Sequence, residues 1–242
     1  MGRAFEVRKK SMMKTANEKS KLYARYGKEI YMAAKNGLPD PELNQNLKRV
    51  IEKAKKEQVP ADVIKRNIDK AAGAGGENYS SVRYEGFGPC NTLFIVDCLT
   101  DNVNRTISEV RNCFTKSNSK LGVSGSVMHN FTYNAVFSFA GDNEEEILEL
   151  MIMNECEVSD IELEDGMISI YAESSEYFKI KSALTENYPD LELEVDEITF
   201  IPTTYQVVEG EDELKNFEKL ISMLDDVDDV QNVYHNAQIN EE

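Results

Sequence analysis

Residues 157–172 read EVSDIELEDGMISIYA, and the fold of the chain around them turns on the Asp165-Gly166 pair in their middle. Two runs rich in apolar and β-branched residues, 157–163 and 167–172, flank a dipeptide that adopts positive φ at little cost, which predicts a β-hairpin. Upstream, a strand over 134–140 (NAVFSFA) precedes a helix that opens on an Asp142/Glu145 capping box and carries Ile147, Leu148, Met151 and Ile152 inside. Downstream, Ser174 stands where a helix cap belongs, Phe178, Ala183 and Leu184 follow, and 191–201 closes with a strand. The order β-α-β-β-α-β is that of a ferredoxin-like unit.

The segments on either side of this unit are less self-sufficient. Before it come strands near 82–85 and 92–99, a helix near 104–117 and a strand at 126–131. After it come a helix carrying Leu214, Phe217, Leu220, Ile221 and Leu224, and a short strand at 230–234. One α+β domain interrupted by the ferredoxin-like insert is the economical arrangement; a separate C-terminal helix–strand hairpin fits the same pattern. The N-terminal part is helical. Leu22, Tyr26, Ile30, Ala33 and Ala34 recur at helical spacing before Gly37. A second helix is expected from an Asp40 cap and Pro41 at its first turn, with Leu43, Leu47, Val50, Ile51 and Ala54 inside. A third starts at Pro60 and carries Val63, Ile64 and Ile68, and a glycine-rich linker follows over 73–81. The expected class is therefore α+β: a basic helical bundle (1–75), a discontinuous α+β domain (76–133 and 204–242) and an acidic ferredoxin-like insert (134–203).

Charge is segregated along the chain. Residues 1–72 hold 18 Lys and Arg against 9 Asp and Glu, a net of +9, while 73–242 hold 9 against 35, a net of −26. Within that body, 134–203 alone is −17, from 2 basic and 19 acidic residues. A basic head on an acidic body points to nucleic-acid contact.

Other classes are disfavoured. No run of strongly apolar residues exceeds four, where a membrane-spanning helix needs about 20, and no secretory signal follows the basic N-terminus. Cys90, Cys98, Cys113 and Cys156 form neither a C-x-x-C motif nor a disulfide framework, which fits a reducing cytoplasm. His129 and His235 lie more than 100 residues apart with no nucleophile motif near either, so no catalytic residue, metal site, cofactor or small-molecule substrate is expected. The pairs Asp225-Asp226 and Asp228-Asp229 read as a solvated face. Gly86 and Gly88 read as turns.

The head supplies the candidate nucleic-acid contacts: Arg3, Arg8, Lys9, Lys10, Lys14, Lys19, Lys21, Arg25 and Lys28, interleaved with Phe5, Tyr23 and Tyr26. Such a surface attracts phosphate and can stack on unpaired bases. Helices two and three also fit a helix-turn-helix that would present Lys65 and Arg66, although an antiparallel helix pair gives the same pattern and the turn lacks the usual glycine. A second candidate group, for a partner, is Asp101, Asn102, Asn104 and Arg105 between a strand end and a helix start. Asp101 or Asn104 can cap that helix, while Arg105 sits in a first turn whose dipole disfavours a cation. Either an external anion or a salt bridge to Asp101 or Glu109 would offset that.

Four ordered blocks complete the reading: Tyr84-Glu85-Gly86-Phe87-Gly88-Pro89; Thr100 to Thr106; Gly125-Ser126-Val127 with Phe131; and Asp228 to Asn236. Together they resemble the YebC family over essentially the whole chain. The resemblance implies three domains, with the α+β domain interrupted by the insert, and a probable transcriptional regulator that binds DNA. Relatives tied to translation imply an alternative, a ribosome-associated factor that contacts ribosomal RNA and helps synthesis through proline-rich stretches. The opening Met1 to Lys10 departs from the family's His-Ser-Lys-Trp block, Val103 replaces a usual basic residue and Cys90-Asn91 a usual Gly-Gly.

Overall fold

A computed structural model describes residues 18–73 and 78–239. In chain order the elements are α1 (Glu18–Lys35), α2 (Gln45–Lys56), α3 (Ala61–Ala72), β1 (Ser80–Phe87), β2 (Leu93–Thr100), α4 (Val103–Lys116), β3 (Lys120–Leu121), β4 (Phe131–Ala140), α5 (Glu144–Met153), β5 (Val158–Glu164), β6 (Met167–Glu173), α6 (Tyr177–Asn187), β7 (Val195–Pro202), β8 (Gln206–Val207), α7 (Glu211–Asp225), β9 (Val230–His235) and β10 (Ala237–Gln238). Asn130–Thr203 forms one compact unit, and the described chain on either side of it forms a second.

In the first unit the strands pair antiparallel in the order β5-β6-β4-β7, the arrangement of a ferredoxin-like fold. The β5–β6 hairpin turns on Asp165 and Gly166, both at positive φ (51° and 75°), as a type I′ turn requires. Ala135, Phe137, Ile168 and Ile170 face α5 and α6, and the Phe137 ring stacks on Tyr177 with centroids 5.2 Å apart. Helix α5 begins one residue later than the Asp142/Glu145 box implies. The cap is Asn143, whose side-chain oxygen accepts the Glu146 N–H at 3.3 Å. Ser174 caps nothing either; a 3₁₀ turn over Ser174–Glu176 leads into α6. Thr203 N donates to Asn130 O at 2.9 Å, so the chain leaves this unit where it came in.

The second unit holds a four-stranded sheet, β3-β1-β2-β9, antiparallel throughout. Strand β9 pairs directly with β2, so the C-terminal helix and strand complete this sheet and form no separate hairpin. Phe94, Val96 and Cys98 on β2 meet Val110 and Phe114 of α4 and Phe217, Leu220 and Leu224 of α7. Gly86 lies within β1, not in a turn. The strand expected at 126–131 does not form, because its backbone donors are taken elsewhere. The buried Glu85 carboxylate accepts N–H groups from Gly125 (2.6 Å), Val127 (2.7 Å) and Met128 (2.9 Å). Burial pushes the Glu85 carboxyl upward, but these three donors outweigh it and hold the group below its usual range. This bond set joins two of the sequence blocks, 84–89 and 125–127.

The helical head belongs to the second unit. Helix α1 carries Tyr26, Ile30, Ala33 and Ala34 into a core with Leu47, Val50, Ile51, Ala54 and Ile64. At Gly27 a Cβ would stand 2.9 Å from the Asn67 amide, so glycine lets α1 and α3 close up. The α2–α3 turn uses Gln58 at φ 59° where a glycine is usual. Helix α2 starts at Gln45, later than expected, because the Asp40 carboxylate accepts from Glu42 N (3.0 Å) in a local turn and Asn44 becomes the cap, accepting from Leu47 N (3.0 Å). Asn44 also donates to Ala33 O (2.9 Å) and Leu38 O (2.8 Å), tying the end of α1 to the start of α2. Leu43, expected inside, is 69% exposed as a result.

Candidate nucleic-acid interface

One face of α1 seals the core; a neighbouring stripe carries Lys21, Arg25 and Lys28 at i, i+4, i+7. These three cations reach the loop between α7 and β9. Lys21 Nζ lies 2.5 Å from Asp226 Oδ1. Arg25 Nη2 donates to the Asp225 carbonyl at 2.8 Å and approaches its carboxylate at 3.4 Å. Lys28 Nζ donates to Asp228 O (2.9 Å) and Asp229 Oδ1 (3.0 Å). Asp225, Asp226 and Asp228 are exposed, as a solvated face would have them, but Asp229 is buried, and the group as a whole also anchors the head to the α+β body. The charge stripe on α1 was visible in the sequence, but nothing local told that its partners lay about 200 residues away.

Asp229 is the centre of this contact and is 3% exposed. Its second oxygen lies 3.0 Å from Thr100 Oγ1, 2.8 Å from Thr106 Oγ1 and 2.6 Å from Arg105 Nη2. Burial alone would raise the Asp229 carboxyl, but the donors of Arg105, Lys28, Thr106 and Thr100 prevail and bring it down to about 2. Arg105 also pairs with Asp101 at 2.8 Å, and its hydrogen bonds to Asp229 first and Asp101 second push the guanidinium pKa further up. Helix α4 is capped by Asn102, whose side-chain oxygen accepts the Arg105 N–H at 3.1 Å, so neither Asp101 nor Asn104 is the cap. Thus the blocks at 100–106 and 228–236 meet at one buried carboxylate. Asp101, Asn102 and Arg105 are brought together there, and the acids offset a cation in the first turn of a helix; Asn104 stays exposed and accepts the Ser108 hydroxyl through its carbonyl.

The other candidate cations fare differently. Arg3, Arg8, Lys9, Lys10 and Lys14 lie outside the described residues. Lys19 on α1 and Lys65 and Arg66 on α3 are exposed and have no partner among the described residues, and Lys55 on α2, not singled out in the sequence, joins them. Lys48 on the same helix has only a 3.9 Å contact with Glu42, both exposed. Of the two histidines, His235 packs between Phe94 and Phe217, centroids 5.7 and 5.2 Å away, and its Nδ1 accepts from Ala237 N. Among the described residues no helix is long and apolar enough to cross a membrane.

Comparison with known proteins covers the whole of this architecture. A family model described as the TACO1/YebC protein N-terminal domain matches residues 3–74, and one described as the TACO1/YebC second and third domain matches 79–237. A probable transcriptional regulatory protein of Pseudoalteromonas atlantica is 57% identical over 242 residues, covering 100% of this chain and 99% of its own. One from Vibrio vulnificus is 57% identical over 239 residues, covering 99% of this chain and 100% of its own. The crystal structure of a conserved hypothetical protein from Aquifex aeolicus superposes with a TM-score of 0.78 at 34% identity, covering 95% of this chain and 94% of that one.

Proposed function

The chain belongs to the TACO1/YebC family, and on that footing we propose that it regulates gene expression by binding nucleic acid through its basic N-terminal helical domain, with promoter DNA as the first target. The observation that carries this reading is the group Lys19, Lys55, Lys65 and Arg66: exposed cations without a partner among the described residues, on a chain of net charge −17. Lys21, Arg25 and Lys28 of α1 are spent on the body, whereas these four remain for an external polyanion. Names of relatives as probable transcriptional regulatory proteins support the same reading. Action is by binding and not by turnover, and it takes place in the cytoplasm. Asp101, Arg105 and Asp229 are committed to one another, which supports binding over turnover at the strongest charged cluster.

A second reading, a ribosome-associated translation factor that contacts ribosomal RNA, is favoured by the insert. Its −17 charge repels naked duplex and suits a particle that presents protein as well as RNA.

The test replaces Lys55, Lys65 and Arg66 with alanine and measures nucleic-acid binding at several salt concentrations. Each lost phosphate contact should reduce the salt slope by about 0.7–0.9, with stability changed by no more than about 0.5 kcal/mol per site. An unchanged slope would sink the proposal. Sedimentation of a lysate separates the two targets: co-migration with ribosomes selects the second, and a free protein that retards a promoter fragment selects the first.

A further inference from the structure

Helices α5 and α6 cover one side of the insert's sheet, α5 crossing from β4 to β5 and α6 from β6 to β7. Ile147, Leu150 and Met151 turn α5 toward the core, and Glu146 accepts the hydroxyl of Tyr188, at the end of α6, at 2.5 Å. At about 100° per residue, Leu148 and Ile152 stand roughly 120–160° round the helix from Glu146, on the flank turned away from α6 and toward β5. Leu163 of β5 faces the same side of the sheet, because its register partner Ile168 lies in the core with Ile147 and Met151. Leu148, Ile152 and Leu163 are 44%, 67% and 41% exposed. A single exposed leucine is ordinary, but three large apolar side chains along one helix–strand margin form a patch that marks an interaction site.

We infer that this margin docks a basic amphipathic helix of another protein. Charge selects the partner. Glu144, Glu145 and Glu149 flank Leu148 and Ile152, and all three are exposed with no ion pair among the described residues. Residues 134–203 hold two basic side chains, and both are engaged: Lys179 with the Glu155 carbonyl and with Glu176, Lys181 with Asp196 at 2.9 Å. The insert therefore has no cation left to neutralise this margin. A second copy would bring the same carboxylates, and a nucleic acid or an anionic membrane further negative charge, so each is repelled. A helix suits the shape. Leu148 and Ile152 stand one turn apart, and apolar side chains at i, i+3 or i+4 and i+7 of a partner fit the trough between α5 and β5 while its lysines and arginines meet the glutamates. The inference stands apart from the nucleic-acid reading, which rests on the head.

The probe is a fluorescent lysine–leucine peptide of about 18 residues, long enough to fold as an amphipathic helix, beside a scrambled peptide of the same composition. Anisotropy with the full-length protein should show the ordered peptide binding about tenfold or more tighter than the scrambled one, and Leu148→Ser with Ile152→Ser should remove that advantage while circular dichroism stays unchanged. Glu145→Gln with Glu149→Gln should weaken binding, whereas Glu213→Gln with Glu218→Gln, exposed acids of α7, should leave it as it was. In the unmodified protein, the methyl resonance of Ile152 should shift on adding the ordered peptide and that of Ile221 in α7 should not. Equal binding of the two peptides, no binding, indifference to the serine pair or an Ile152 methyl that stays in place overturns the inference. So does self-association of the parent that Ile152→Ser abolishes, which would make a second copy the occupant.

Discussion

Asp229 is buried, charged and answered by Lys28, Arg105 and two hydroxyls, so it behaves as a structural carboxylate whose worth depends on pH. Its carboxyl lies at about 2 in the folded protein against 3.8 as the ordinary value. A depressed folded value means that the contribution is complete above about 3.8 and is lost as pH falls through about 2, worth on the order of 2 kcal/mol by linkage. Asp229→Asn should therefore lower stability at neutral pH by roughly that amount, and the gap to the parent in urea melts should narrow from about pH 4 downward. A gap independent of pH would mean that shape, not charge, is what the site needs. The thiol of the buried Cys98, near Asp97 and Asp229, is pushed up to about 12, mainly by burial, so it should resist alkylation in the folded state.

Among the elements, α5 offers the sharpest test of local reading. Asn143 makes the cap and Asp142 does not, so Asn143→Ala should cost about 1 kcal/mol and Asp142→Ala close to nothing, measured by chemical denaturation of each variant. The element was legible in sequence and its register was not, because Asp142 and Asn143 are both good caps with a glutamate three residues on. The same distinction runs through the fold. The β5–β6 hairpin, the alternation that builds the insert and the inner faces of α1 and α7 depend on residues near one another in the chain, and these could be read. The missing strand at 126–131 could not, since the Glu85 carboxylate that claims its N–H groups is some 40 residues distant. For the same reason the candidate site was read as separate lists of cations and acids, when Lys28, Arg105 and Asp229 are one cluster.

At the scale of the molecule, a basic head is held on an acidic body by contacts of two kinds. Lys21–Asp226 and Arg25–Asp225 involve exposed aspartates, and Lys28–Asp229 is mostly buried. Lys21→Ala and Arg25→Ala should each cost less than about 1 kcal/mol and less still in molar salt, where screening is strong. Lys28→Ala should cost more and respond little to salt; thermal melts across a salt series would separate the two classes. The Lys21–Asp226 contact also joins residues 205 positions apart, and everything between them must be made before it can close. At 5–20 residues per second, synthesis leaves α1 without its aspartates for roughly 10–40 s. In that interval the stripe of Lys21, Arg25 and Lys28 is a different object from the one in the finished fold: a nascent cationic helix, met first by whatever polyanion surrounds the growing chain.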